Sequence, residues 1–167
     1  MTERIKFKYH PNLYEQDIVI FDNEICQCCG KEVDAFISSI YCEEYVDCIC
    51  LECVASGKAS EKFDGDFVQD AETIDNAEAT DELFKRTPGY RSWQGEYWLA
   101  CCNDYCAYIG EVSTADLEKM GIADEVFEEY EKKGGYEDAR MYLGNGLVGY
   151  LFKCLHCGKY HLGVDAD

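Results

Sequence analysis

Lysine and arginine are scarce in this sequence: 15 of them stand against 34 aspartates and glutamates in 167 residues, a formal charge of -19. Nucleic acids and anionic lipid surfaces are held by clustered basic side chains, so this balance argues against a broad electrostatic affinity for either. Proline occurs only twice, and no Pro-rich or low-complexity tract divides the chain, which excludes a stiff linker between separate units. No stretch approaches the ~18 apolar residues of a membrane span. Residues 1–11 (MTERIKFKYHP) also lack the apolar core of an export signal. The expected compartment is therefore the cytoplasm, with no membrane partner.

Cysteine, by contrast, is abundant, with 12 residues. Cytosolic thiols are kept reduced, so metal ligation is a better reading of so many than a disulfide framework. Cys26 and Cys29 form a C-x2-C pair followed by Gly30, whose tolerance of positive φ lets the chain reverse while backbone N–H groups turn toward the thiolates. Cys50 and Cys53 follow after 20 intervening residues, at the upper end of the C-x2-C-x15–20-C-x2-C zinc spacing. These four predict a zinc site.

The string Cys154-Leu155-His156-Cys157-Gly158-Lys159 repeats the Cys-x-x-Cys-Gly-Lys pattern of residues 26–31. It predicts a second knuckle, whose partner pair must come from Cys101, Cys102 and Cys106. Cys102 with Cys106 is preferred as the tighter chelate, with Cys101 able to replace Cys102; 47 residues separate Cys106 from Cys154, far beyond the compact spacing. Two Zn2+ ions are thus expected, on Cys26, Cys29, Cys50 and Cys53, and on Cys102, Cys106, Cys154 and Cys157. His156 or His161 as a ligand is the alternative at the second site. Cys28, Cys42, Cys48 and the remaining member of the Cys101/Cys102 pair read as small core hydrophobes.

Between these groups the pattern is mixed. Residues 18–21 and 35–41 are rich in β-formers, and 147–153 is an apolar strand leading to Cys154. Residues 51–57, 70–86, 114–120 and 124–133 read as helices, the first closed by Gly57 and the third opened by Ser113 with Asp116 behind it. The carboxylates of 124–133 are a solvated helix face. The fold class is α+β: zinc-knuckle or zinc-ribbon-like β elements with short helices, organised by two four-cysteine metal centres. One compact domain, 1–167, is expected, with residues 1–65 around the first knuckle pair and 86–167 around the second. Residues 86–102 hold both tryptophans, and alternation along 94–99 puts Glu96 and Trp98 on one face. Tyr90, Trp93, Tyr97 and Trp98 are then either a packing cluster over the second metal site or a binding surface.

Several segments together resemble the CbrC family of small bacterial proteins. They are Phe7-Lys8-Tyr9-His10-Pro11, Cys26-Gln27-Cys28-Cys29-Gly30, residues 59–65 (ASEKFDG), Arg86-Thr87-Pro88-Gly89 with Trp93-Gln94, residues 98–110, and Leu151-Phe152-Lys153-Cys154-Leu155-His156-Cys157-Gly158. The resemblance covers nearly the whole chain. It implies a link to colicin tolerance and no particular chemistry.

Two sites that each need only four thiolates, without a recognisable catalytic motif, point to a non-enzymatic zinc protein that docks an unidentified protein partner. The competing reading is a zinc enzyme with an open second site served by His156, His161, Glu96 or Asp104. A third, nucleic-acid binding, rests on the small basic group Lys153, Lys159, His156 and His161, and the overall charge weighs against it.

Overall fold

The computed structural model describes residues 4–166. Short elements dominate its first two thirds. After a 3-10 turn at Leu13–Glu15, strands β1 (Glu24–Ile25) and β2 (Glu32–Val33) form a hairpin, and β3 (Phe36–Ile37) pairs antiparallel with β4 (Ile49–Cys50). Strand β4 runs directly into α1 (Leu51–Ala55), and Gly57 at φ 81 separates α1 from α2 (Lys58–Phe63). Then come β5 (Asp70–Ala71), α3 (Ala77–Arg86), β6 (Tyr97–Trp98), and a tight hairpin of β7 (Ala100–Cys101) and β8 (Asp104–Tyr105).

The last third holds the longest strands, β9 (Ala107–Val112), β10 (Leu147–Lys153) and β11 (Tyr160–Ala166), in an antiparallel sheet with β10 at its centre. Helices α4 (Thr114–Lys119), α5 (Ala123–Lys132) and α6 (Ala139–Tyr142) fill the β9–β10 connection. Side chains of β10 alternate between faces. Val148, Tyr150 and Phe152 join an aromatic core with Tyr9, Tyr90, Trp98 and Tyr108, while Leu151 packs with Leu117, Val126, Phe127 and Leu162 under the helices. A strand buried on both faces must be apolar throughout, and for this reason its run stands out in the sequence. A third cluster, with Leu13, Ile37, Ile49, Val54, Phe63 and Phe67, surrounds the first cysteine group.

The aromatic core stacks Tyr90 on Tyr108 at 4.3 Å between centroids, and His10 sits edge-on to Trp98 and Tyr108. Its Nδ1–H donates to the Pro88 carbonyl at 2.9 Å. Burial lowers the His10 pKa to about 4, so the ring is neutral at physiological pH.

Three sequence-based expectations about elements differ from the structure. The strand expected over 35–41 is reduced to Phe36–Ile37, with Tyr41 in an isolated bridge to Asp66. Residues 18–21 form no strand: only Ile20 pairs, with Phe36, because β3 is two residues long and its other edge is taken by β4. The helix expected over 70–86 starts at Ala77. Asn76 caps it, its side chain accepting from the Ala79 amide at 3.1 Å, and Asp70–Ala71 pairs in parallel with Tyr97–Trp98 instead. Among the described residues no helix is long and apolar enough to cross a membrane.

Ser113 and Asp116 form a reciprocal capping box at the start of α4. Loss of an N-cap oxygen costs ~1 kcal/mol. Ser113→Ala is expected to lower stability by about that amount in chemical denaturation, and Ser113→Asn to recover most of it; equal stability of the three proteins would show that the box contributes nothing.

Candidate metal centres

Residues 26–31 link β1 to β2, and residues 154–159 link β10 to β11. The two loops share one backbone pattern. Cys26 N–H donates to the Lys31 carbonyl at 2.9 Å and Gly30 N–H to the Cys26 carbonyl at 2.8 Å; the counterparts are Cys154 to Lys159 at 2.8 Å and Gly158 to Cys154 at 3.2 Å. Gly30 and Gly158 have φ of 75 and 76. A side chain at either position would be strained, which explains the glycine after each C-x2-C pair. The sequence repeat is therefore a repeat of structure, a knuckle carried once on a two-residue-strand hairpin and once on the long β10–β11 hairpin.

Facing the first knuckle, Cys50 ends β4 and serves as N-cap of α1, while Cys53 lies within that helix. The sulfurs of Cys26, Cys29, Cys50 and Cys53 all lie within 4.8 Å of one another. Cys26 to Cys53 is 4.0 Å and Cys29 to Cys50 is 3.9 Å. The second group is Cys101, Cys102, Cys154 and Cys157, again within 4.8 Å, with Cys101 at 3.8 Å from Cys102 and 3.7 Å from Cys157. A tetrahedral ion bound to four thiolates at ~2.3 Å holds its sulfurs ~3.8 Å apart. Both donor sets fit, and each group could hold a metal ion.

Here the structure corrects the expected second set: Cys101 joins it and Cys106 does not. Cys102 and Asn103, with φ of 56 and 55, make the two-residue turn between β7 and β8. Positive φ at both central positions is the geometry of a type I′ hairpin, whose twist suits paired strands and which favours Asn. The turn places Cys101 and Cys102 at the hairpin tip. Cys106, beyond β8, is fully buried in the aromatic core, where its carbonyl accepts the Trp98 indole N–H at 2.8 Å and its N–H donates to Leu99. Burial drives its thiol pKa up to about 12. The Cys102–Asn103 turn, and not the tightness of the chelate, decides which thiols face the second knuckle. The Tyr-Trp-Leu-Ala-Cys-Cys-Asn-Asp-Tyr string, with Asn after the second cysteine, was the available signal.

The electrostatics of the knuckles are alike as well. Burial opposes ionisation of Cys26, yet the amides of Cys50, Cys29 and Cys28 aimed at its sulfur outweigh it and lower its pKa to about 7. At Cys154 burial is again outweighed, by the amides of Cys157 and His156, each 3.4 Å away, and the pKa falls to about 6. Burial raises Cys50 to about 11 and raises Cys53 and Cys101 further. One thiolate in each group is thus prepared before any cation arrives.

The groups differ in their surroundings. Lys62 donates to the carbonyls of Gln27 at 3.0 Å and Cys28 at 2.9 Å, bringing a positive charge onto the first knuckle. The Gln27 side chain accepts from the amides of Asp47 and Cys48 and donates to the Tyr45 carbonyl. Three of the four cysteines in the first group are buried, against one in the second. Beside the second group, His156 Nε2 lies 2.8 Å from Asp104 Oδ2, and Asp104 Oδ1 accepts from the Tyr9 hydroxyl at 2.6 Å. Burial pushes the Asp104 pKa up, but Tyr9, His156 and the Tyr105 amide together hold it below the ordinary carboxylate value.

The remaining candidates are scattered. His161 is buried with Nδ1 2.6 Å from Glu129, apart from the exposed Lys153 and Lys159, so the four-residue basic group does not assemble on one surface. Glu96 meets Tyr41 in a cleft. Of the aromatic cluster, Tyr90 and Trp98 are core residues, whereas Trp93 is 68% and Tyr97 49% exposed. Cys48 is buried, while Cys28 and Cys42 are only partly so.

Three outcomes are expected from this geometry. In metal-free protein the thiolate absorbance should rise in steps near pH 6 and pH 7, the lower one absent from Cys154→Ser. Both pKa values lie below the ordinary 9.0, so these thiols stabilise the fold fully above about pH 9 and the contribution is lost as pH falls toward 6. Cys50, Cys53 and Cys101 are shifted upward and act in reverse, so the contribution of these thiols to metal-free stability should peak near pH 9. Alkylation followed by peptide mass spectrometry should modify exposed Cys102 and Cys157 well before Cys106; rapid labelling of Cys106 would remove it from the core.

Comparison with known proteins places these features in a family. Residues 5–166 match the model described as "Uncharacterised protein family (UPF0167)". A UPF0167 protein of Pseudomonas aeruginosa is 32% identical over 171 residues, covering 95% of each chain. UPF0167 proteins of Mycobacterium bovis and Mycobacterium tuberculosis are each 31% identical over 175 residues, covering 96% of this chain and 92% of theirs. No solved structure gives a significant match. With the match spanning both cysteine groups and the three-stranded sheet, the chain belongs to the uncharacterised protein family UPF0167.

Proposed function

We propose that both cysteine groups are closed zinc tetrathiolate centres and that the protein is a non-catalytic, zinc-stabilised module that docks a protein partner. The observation that carries this reading is the sulfur spacing of 3.7 to 4.0 Å in both groups, matched to a tetrahedral ion with four thiolates. Such a set favours zinc, with iron the other ion that takes tetrahedral sulfur. Four protein ligands leave no position for a water, and hydrolytic zinc needs one. Bound zinc would hold β1–β2 to the β4–α1 junction and the β7–β8 tip to β10–β11. The centres are then structural: ~10–16 kcal/mol of apparent binding energy from each ion would support elements too short to be stable alone.

Twelve free cysteines suit a reducing compartment, so the cytoplasm is proposed. Exposed Trp93 and Tyr97 support a protein surface as partner, and the charge of -19 disfavours nucleic acid. The CbrC resemblance contributes the link to colicin tolerance. A second reading, an enzyme with an open second site, draws on the exposure of that group and on the His156–Asp104–Tyr9 chain beside it.

Protein purified without added metal should contain two equivalents of zinc. Cys29→Ser and Cys101→Ser should each lose one, the former melting the N-terminal third, while Cys106→Ser keeps both. Cobalt in both sites should give an intense tetrahedral thiolate spectrum that azide does not alter. Iron in the purified protein would replace zinc in this reading, and an azide-sensitive spectrum would move it to the enzyme, with His156 the first residue to substitute.

A further inference from the structure

A cleft of about 350 Å³ lies where the N-terminal cluster meets the aromatic core, with Ile37 and Phe67 contributed by the former and Tyr90 by the latter. That volume is within the range of small-ligand sites. Asp17, Ser38, Ser39, Arg91 and Ser92 line the more open part of the cleft, and the buried polar group is the Glu96 carboxyl, on a residue only 7% exposed. Glu96 Oε2 accepts from the Tyr41 hydroxyl, and the amides of Glu96 and Gln69 also donate to the carboxyl group. Gly89 makes room for it: a Cβ there would lie 2.2 Å from Glu96 Oε1 and 2.6 Å from the Phe67 carbonyl.

Every one of these donors is neutral. Buried glutamates are almost always charge-paired, yet no Lys, Arg or His among the described residues forms a salt bridge with Glu96. Arg91, the cation lining the same cleft, directs Nη2 to the Asp17 carbonyl at 2.7 Å. Burial raises the Glu96 pKa despite the donors, so the carboxylate is under-compensated where it stands. The surrounding field of a chain carrying -19 also concentrates cations.

We infer that this cleft binds a small organic cation, an ammonium or amidinium head on an apolar body, with the head on Glu96 and the body between Ile18, Ile37 and Tyr90. The head would supply the charge that the protein withholds from Glu96, and the neutral donors would hold the carboxylate in place to receive it. No cysteine lines this cleft, although Ile37 and Phe67 belong to the cluster around the first group, which is why the test below uses the metal-loaded protein.

The test is an amide NMR titration of the zinc-loaded, full-length protein with benzylammonium, using benzyl alcohol as the neutral probe of the same shape. Benzylammonium should move the amides of Gly89, Gly95 and Glu96 with millimolar affinity, and benzyl alcohol should bind at least about tenfold more weakly, as expected for loss of a charge-assisted contact. Glu96→Gln should weaken benzylammonium by a similar factor. Unmoved cleft amides, equal binding of the two probes, or full affinity in a folded Glu96→Gln protein would each overturn the inference. The comparison of probes on the unmutated protein decides the matter even if that variant does not fold.

Discussion

Backbone N–H groups turned inward on a single sulfur are the interaction on which both cysteine groups depend. In each knuckle the amides that follow the first cysteine close on its Sγ, and the loop is held by that cysteine's own amide bonding across to a lysine carbonyl. A buried thiol would otherwise stay protonated. The amide dipoles reverse that preference at Cys26 and Cys154 while the neighbouring thiols remain shifted upward, so each group has one anionic sulfur from which coordination can begin.

The elements around the first group explain why such a centre is needed. Hairpins of two-residue strands and helices of five and six residues bury too little to be stable alone. The first group joins four such pieces, and the apolar cluster that includes Leu13, Ile49 and Val54 packs around it with three of its cysteines. The second group is different. Its knuckle extends from a seven-residue hairpin already packed on both faces, so the sheet does not require it, and the group sits nearer the surface. Metal in the first place would support folding; in the second it would fix the β7–β8 tip and, through Asp104, the position of Tyr9.

Charge divides the molecule in another way. With acidic residues in large excess, the few cations in contact with the first knuckle and the cleft have identifiable tasks: Lys62 covers the knuckle and Arg91 ties the edge of the cleft to Asp17. Neither reaches Glu96. That carboxyl remains buried among neutral donors at the junction of two apolar clusters, a place where an incoming cation would gain both charge pairing and burial.

What could be read from the sequence alone is what depends on residues close together in the chain. The knuckle turns need only a cysteine pair and a glycine that accepts positive φ, and the Ser113–Asp116 box needs only four positions. Strand β10 is apolar because both its faces are covered, so its limits, Leu147–Lys153, are visible as an uninterrupted run. The four cysteines of the first group share a spacing short enough that closing the loop strongly limits the choice of partners. Tertiary structure decided the rest. Whether Cys101 or Cys106 meets the distant second knuckle depends on a two-residue turn that sends one thiol to a hairpin tip and the other under Trp98. The start of α3 depends on Asp70–Ala71 finding Tyr97–Trp98. The placement of Lys62 over the first knuckle, the bonds of Asp104 to Tyr9 and His156, and the seat of Glu96 in the cleft left no local trace. Each is set by contacts between segments far apart in sequence, and a side chain's direction in such contacts is fixed only once the strands that carry it are paired.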